Sequence, residues 1–382
     1  MKGHLRKRAP GSWTIVLDLG RDANGKRRQK WVTVRGTKRE AEAELARLVH
    51  ESNTGQWVEP SKITVGEYLE KWLTLVEPKV APKTHHRYAQ IVRGHLVPAL
   101  GGIPLAKLTP LHVEEHYQQA RESGNQRAEG GLSERTLLHH HRVLKEAMKR
   151  AVRLLYLPRN PLDAVDAPKP GRTKPRPLTR AEAVTLLEAV AGTRLEAPVR
   201  FGLATGVRRG EMLALRWSSV DLTTGVVRIE RSVGRVGRQH LEKVPKSSAG
   251  ERRIALGPKA VAALREHKAA QAAEQLRLGR AWTDEDRVFP NVEGSLWPPE
   301  SFASTFSRAV GRCGLKGVRF HDLRHTHATE LLRQRINPKV VSERLGHSTV
   351  TITLDLYGHV LPGMDEEVAA LADSLIDGSV GG

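Results

Sequence analysis

The chain has 382 residues, enough for two or three domains, and its 39% hydrophobic content excludes wholesale disorder. Lys and Arg number 62 against 42 Asp and Glu, a formal net charge of +20, which selects a polyanionic partner. No apolar run approaches the ~18 residues of a spanning helix, the polar start MKGHLRKRAP is not a signal peptide, and the lone Cys313 leaves no internal disulfide. Nucleic acid in a reducing cytoplasm is therefore the expected setting, with no membrane partner.

Residues 12–19 (SWTIVLDL) and 30–35 (KWVTVR) predict two short strands joined through an Asn-Gly turn. A helix follows, with Thr37 as N-cap and Glu40 completing a capping box. Arg27, Arg28, Lys30 and Arg35 concentrate charge here, behind Lys2, Arg6, Lys7 and Arg8. Residues 1–58 thus read as a small DNA-binding module, although a solvated hairpin is the plainer fate of such a charge run.

Residues 62–168 read as all helical. Val65, Leu69, Trp72, Leu73 and Val76 share one helix face, and Tyr88, Ile91, Val92 and Leu96 share the next. Thr109-Pro110 starts a third helix, and Ser133 starts the longest, with a stripe Leu137, His141, Leu144, Met148, Ala151, Val152 and Leu155. His139, His140 and His141 point in different directions on that helix, so one buried and two exposed histidines are expected rather than a metal site. The segment PKPGRTKPRP, taken as a linker over 169–177, cannot continue a helix, and Arg172, Lys174 and Arg176 make it a cationic tether suited to DNA.

The last unit, 178–382, opens with a capping box from Thr179 to Glu182. A helix runs into ATGVRRGE, is interrupted at Gly206 and restarts at MLALRW. Strands are predicted at VVRIE, around HLEKV and at RRIAL, separated by the turns SVGRVGR and SSAGE, and helices then continue to the end. Metal, thiol and nucleotide-binding signatures are missing. His321, His325 and His327 have spacing that zinc can use, but Arg324 on the same face disfavours a divalent cation, so no cofactor is expected.

What remains is a set suited to phosphoryl transfer without metal. Thr205-Gly206-Val207-Arg208 with Glu211, His321-Asp322-Leu323-Arg324-His325, Leu345-Gly346-His347 and Tyr357-Gly358-His359 resemble, in order and spacing, the motifs of the tyrosine recombinases, the lambda-integrase-like family. The resemblance implies a multidomain, mainly α chain with small β elements. It comprises a small sheet-plus-helix N-terminal domain that binds arm-type DNA, a helical core-site-binding domain, and a mostly helical catalytic domain with a small antiparallel sheet. It also implies Tyr357 as nucleophile, Arg208 and Arg324 as a clamp on the phosphate, His347 as a further donor, His321 as base and Lys246 as acid, with Glu211 anchoring the cations. Two preorganised guanidiniums can neutralise the charge that the non-bridging oxygens gain in the transition state. The expected partners are double-stranded attachment-site DNA and three further copies in a synaptic tetramer, with an excisionase or DNA-bending protein as candidate helper. A type IB topoisomerase shares this chemistry, and a non-catalytic DNA-binding protein is the alternative of another class.

Overall fold

The computed structural model describes residues 3–21, 25, 27–53, 62–125, 129–171, 176–237, 239–243, 250–358, 369 and 372–373. Lys246, Arg172 and Lys174, the side chain of Arg28, and the tail positions Met364, Val368, Leu371, Leu375 and Ile376, whose helical spacing in the sequence predicts an apolar stripe, lie outside them. The chain divides into two compact units, Met1–Arg172 and Thr173–Gly382.

The first unit begins with an antiparallel meander, β1 (Gly3–Ala9), β2 (Ser12–Arg21) and β3 (Arg27–Arg35), followed by α1 (Lys38–Asn53). Two strands were expected and there are three. The extra edge strand GHLRKRA contributes only Leu5 to the apolar cluster, so it carries no hydrophobic alternation to read. Pairing of Leu5 with Ile15 and of Ile15 with Val32 puts these side chains on the face that α1 covers with Leu45 and Leu48. The other face carries Arg6, Trp31 and Arg35. The capping box forms as predicted: the Thr37 N–H donates to Glu40 Oε2 over 2.7 Å.

The rest of this unit is a helical bundle: α2 (Val65–Val76), α3 (Pro82–Ile91), which runs through a π turn at Val92–Leu96 into α4 (Val97–Leu100), α5 (Pro110–Ser123) and α6 (Glu134–Arg153). Tyr68, Trp72, Leu96, Tyr117 and Leu144 fill its core. Two expectations on α6 need correction. Leu155 is not part of the stripe: the helix ends at Arg153, and a left-handed φ of 58° turns Leu155 outward to 68% exposure. Two of the three adjacent histidines are buried, not one, because each finds an aromatic neighbour. His140 packs against the rings of His95 and His116, and His141 Nδ1 lies 3.1 Å from the Tyr117 hydroxyl.

The second unit contains α7 (Arg180–Val190), α8 (Glu196–Thr205), α9 (Arg209–Leu213), β4 (Val220–Asp221), β5 (Val226–Ile229), β6 (Ser232–Val236), β7 (Gln239–Lys243), β8 (Arg252–Ala255), α10 (Pro258–Leu278), α11 (Pro299–Arg312), α12 (Phe320–Arg333), α13 (Pro338–Leu345) and α14 (Val350–Tyr357). The strands form a sheet of order β4-β5-β8 and a separate β6-β7 hairpin. Most of SVGRVGR, expected as a turn, is therefore strand β6. Val233 is buried there, and the left-handed residue is Gly237, at φ 59°. The main core gathers Met212, Phe302, Phe306, Phe320 and Leu323, and a smaller cluster of Ala328, Leu332, Val341 and Leu345 surrounds Tyr357. Arg176, read from sequence as a DNA contact, here pairs with Glu182 over 2.8 Å and donates to the Lys316 carbonyl. Among the described residues no helix is long and apolar enough to cross a membrane.

Candidate active site

Four helix ends converge in the second unit. α8 stops at Gly206, whose φ of 64° is left-handed, and an added Cβ there would lie 2.8 Å from both His327 Cδ2 and Leu345 Cδ2. Only glycine fits this tight reversal, which leaves Arg208 as the N-cap of α9. α13 ends in the same way at Gly346, φ 69°, and delivers His347. α12 supplies His321, Arg324 and His325 from one run of turns. Between them lies a cavity of about 440 Å³ lined by Arg208, Glu211, Ser232, Gly250, His321, Arg324, Gly346, His347, Ser348 and Ile352. Arg209 instead lines a neighbouring cavity with Phe306, Arg319, Phe320 and His321, so Arg208 is the arginine of this pair that shares a cavity with Arg324 and His347.

The cavity is cationic by construction. Arg208 donates Nη1 to Glu211 Oε1 over 2.7 Å and Nη2 to the Gly346 carbonyl over 2.9 Å. Arg324 is only 2% exposed; Nη1 donates to the Gly206 carbonyl over 2.9 Å, while Nη2 is buried without a hydrogen-bond partner among the described residues. Burial, then the charge of Arg208, lower its pKa to about 9, which leaves it protonated at neutral pH. Burial raises the Glu211 pKa, but Arg252 and Arg208 outweigh it and hold the carboxyl below the usual range.

The histidines are held neutral. His321 keeps an exposed edge, yet the protein packed around it, followed by His325 and Arg324, brings its pKa down to about 4. Burial and the two arginines bring His347 to about 4 as well, and its Nδ1 lies 2.8 Å from Thr353 Oγ1. Neutral imidazoles at this position can accept a proton or donate one from a single nitrogen. His327 does neither for a ligand: Nδ1 sits 2.8 Å from the Leu203 carbonyl and Nε2 accepts from Arg344, so it braces the Gly206 turn. Among the described residues no His, Cys, Asp and Glu group is arranged to hold a metal ion.

Tyr357, at 1% exposure, lies behind the cavity rather than on its wall. Its hydroxyl is 2.6 Å from His325 Nδ1, and burial pushes its pKa up to about 12. Of the six residues expected to carry chemistry, Arg208, His321, Arg324 and His347 thus meet around one cavity, Tyr357 stands next to it, and Lys246 falls in the segment between β7 and β8 outside the described residues. Three residues given no part in the reaction from the sequence also shape the site: His325, weighed there only as a metal ligand, at the tyrosine, Thr353 at His347 and Arg252 at Glu211.

Comparison with known proteins identifies the family. Residues 176–363 match the model of the phage integrase family, and residues 64–120 match the phage integrase N-terminal SAM-like domain. A tyrosine recombinase XerC-like protein of Caldanaerobacter subterraneus is 27% identical over 370 residues, covering 92% of this chain and 93% of the relative. The fold matches the Tn1549 transposon integrase in complex with circular intermediate DNA, with a TM-score of 0.68 at 21% identity over 81% of this chain and 99% of that one. It also matches a lambda integrase tetramer bound to a Holliday junction, with a TM-score of 0.58 at 19% identity over 91% and 96%. The chain belongs to the phage integrase family of tyrosine recombinases, enzymes of site-specific DNA strand exchange.

Proposed function

We propose that this chain integrates and excises a mobile element by attack of Tyr357 on a DNA phosphodiester held between Arg208 and Arg324. The observation that carries the reading is the Arg324 Nη2, a buried donor beside Arg208 and His347 with no hydrogen-bond partner among the described residues. A non-bridging phosphate oxygen satisfies it. As the Tyr357 oxygen bonds to phosphorus, the bond to the 5′ oxygen breaks, and Lys246 protonates the departing hydroxyl. His321 accepts the phenolic proton, and His347 donates to the developing charge. The product is a 3′-phosphotyrosyl linkage and a free 5′ hydroxyl. Attack by another strand's 5′ hydroxyl reverses these steps, so rejoining needs no ATP.

The remaining assignments follow the same reading. Residues 1–58 bind arm-type DNA through the sheet face that α1 leaves open. There the Arg6 guanidinium lies 5.7 Å from the Trp31 ring centroid, and Arg27 and Arg35 share the register, whereas Lys30 lies in register with the α1-covered Val32. Residues 62–168 bind the core site, residues 169–177 link it to the catalytic domain at 178–382, and four copies act together on DNA in the cytoplasm.

The test is to incubate the chain with random-sequence duplexes, each nicked so that the fragment bearing the freed 5′ hydroxyl diffuses away, and to recover DNA covalently bound to protein. The expected result is an adduct at Tyr357 that Tyr357→Phe abolishes while DNA binding persists. Adducts that persist in the phenylalanine variant sink the assignment, and relaxation of plasmids lacking the recovered sequence would favour a strand swivelase.

A further inference from the structure

The cavity wall is braced from behind by a guanidinium that never reaches it. Arg252, at the start of β8, has a side chain only 6% exposed and is absent from the cavity lining. Its Nη2 donates to Glu211 Oε2 over 2.8 Å, and its Nε donates to the Arg344 carbonyl over 2.7 Å. The carboxylate of Glu211, 5% exposed, is thereby shared: Oε1 accepts from Arg208 Nη1, and Oε2 also accepts the Arg208 backbone N–H over 3.0 Å. Arg208 Nη2 then reaches the carbonyl of Gly346, two residues beyond Arg344. The contacts form a closed ring that ties the start of α9, β8 and the end of α13 together directly before His347.

The geometry points to Arg252 as a positioning residue of strand transfer. Through Glu211 it fixes the direction of the Arg208 guanidinium, and through the Arg344 carbonyl it fixes the turn that presents His347. Both effects need a rigid planar fork. A carboxylate bonded on both oxygens cannot rotate, so the Arg208 Nη1 bond keeps one direction. Lysine at 252 would supply the charge from a single point and could not span Glu211 and the Arg344 carbonyl in fixed geometry.

This inference rests on the assignment of Arg208 and His347 to the phosphate, and its test separates the two claims. Adduct formation by the full chain is followed in a single turnover on the nicked duplex recovered from the random pool, for the unsubstituted chain, Arg252→Lys, Arg252→Gln, Glu211→Gln and the double variant Arg252→Gln/Glu211→Gln. Both Arg252 variants are expected to form adduct about 10²-fold more slowly, the penalty of a misplaced group, at an unchanged half-saturating DNA concentration. The double variant is expected to be within about twofold of Glu211→Gln alone, since both residues act along one path. Should Arg252→Gln not fold, Arg252→Lys, which retains the buried charge, decides. A folded Arg252→Lys that forms adduct at the unsubstituted rate overturns the role, and so does a double variant that loses the product of the two single losses. If the unsubstituted chain forms no adduct, the site assignment falls and the role of Arg252 falls with it.

Discussion

The hydroxyl of Tyr357 lies 2.6 Å from Nδ1 of His325, and neither residue lines the cavity of the arginine clamp. Burial raises the tyrosine pKa to about 12 and lowers that of the histidine, so the two neutral groups share a hydrogen bond. To reach a phosphate at Arg324, Tyr357 has to give up this bond. His325→Phe keeps an aromatic ring and removes the hydrogen-bond partner, which eliminates about 1 kcal/mol of preference for the resting position. The single-turnover adduct rate should therefore rise by a factor of about five. A fall of tenfold or more would instead make His325 the base.

Arg324 is stored at a cost to the fold. It is almost fully buried, has one nitrogen without a partner among the described residues, and makes its side-chain hydrogen bond there to a carbonyl rather than a carboxylate. Replacing such a group with an apolar side chain of similar length relieves an uncompensated charge. Arg324→Met should raise the unfolding free energy of the DNA-free chain by about 1–3 kcal/mol while abolishing adduct formation. Denaturant titration measures the first effect, and a less stable variant would contradict the account.

The reversal at Gly206 should tolerate no side chain. Alanine there would combine a left-handed φ with two 2.8 Å contacts, to His327 and Leu345. Gly206→Ala is expected to destabilise the chain by about 1–3 kcal/mol and to slow adduct formation by displacing Arg208. Unchanged melting and unchanged kinetics together would show that the turn is less constrained than its contacts indicate.

The helical bundle should be acid-labile. His140 is fully buried with both ring nitrogens unpaired among the described residues, and burial lowers its pKa to about 3 and that of His116 to about 4. In the unfolded chain both titrate near ~6.5. Because the folded values are the lower ones, the neutral forms stabilise the fold fully above pH ~6.5. As pH falls from there toward 4, the unfolded chain binds more protons and stability is lost, by about 2 kcal/mol per histidine at pH 5. The thermal midpoint should drop between pH 7 and pH 5, and His140→Phe should flatten that slope. A midpoint indifferent to pH over this range would count against the buried cluster.

Part of the site was legible where the backbone demands a particular residue, while His321, Arg324 and Tyr357 were legible through the motifs that carry the family resemblance. Gly206 and Gly346 mark left-handed helix ends, and Asn337-Pro338 marks a helix start, so the positions of Arg208 and His347 could be inferred. The three residues behind the site were not legible, because their roles depend on which neighbour they meet across the fold. Arg252 left one signal: strand alternation puts it on the same face as the buried Ile254, whereas Arg253 faces out. In the first unit, β1 escaped because an edge strand of basic residues carries almost no apolar pattern. On β3 the same alternation divides the basic run between two faces, which its charge alone could not do.

Thr353, wholly buried, and Tyr357 sit one turn apart on α14, and the Thr353 hydroxyl contacts His347. Any rigid displacement of α14 that brings the tyrosine forward also moves the group that steadies His347. On the proposed mechanism, arrival of Tyr357 at the phosphate and release of the His347 imidazole would then be one event, with α14 setting the timing of both.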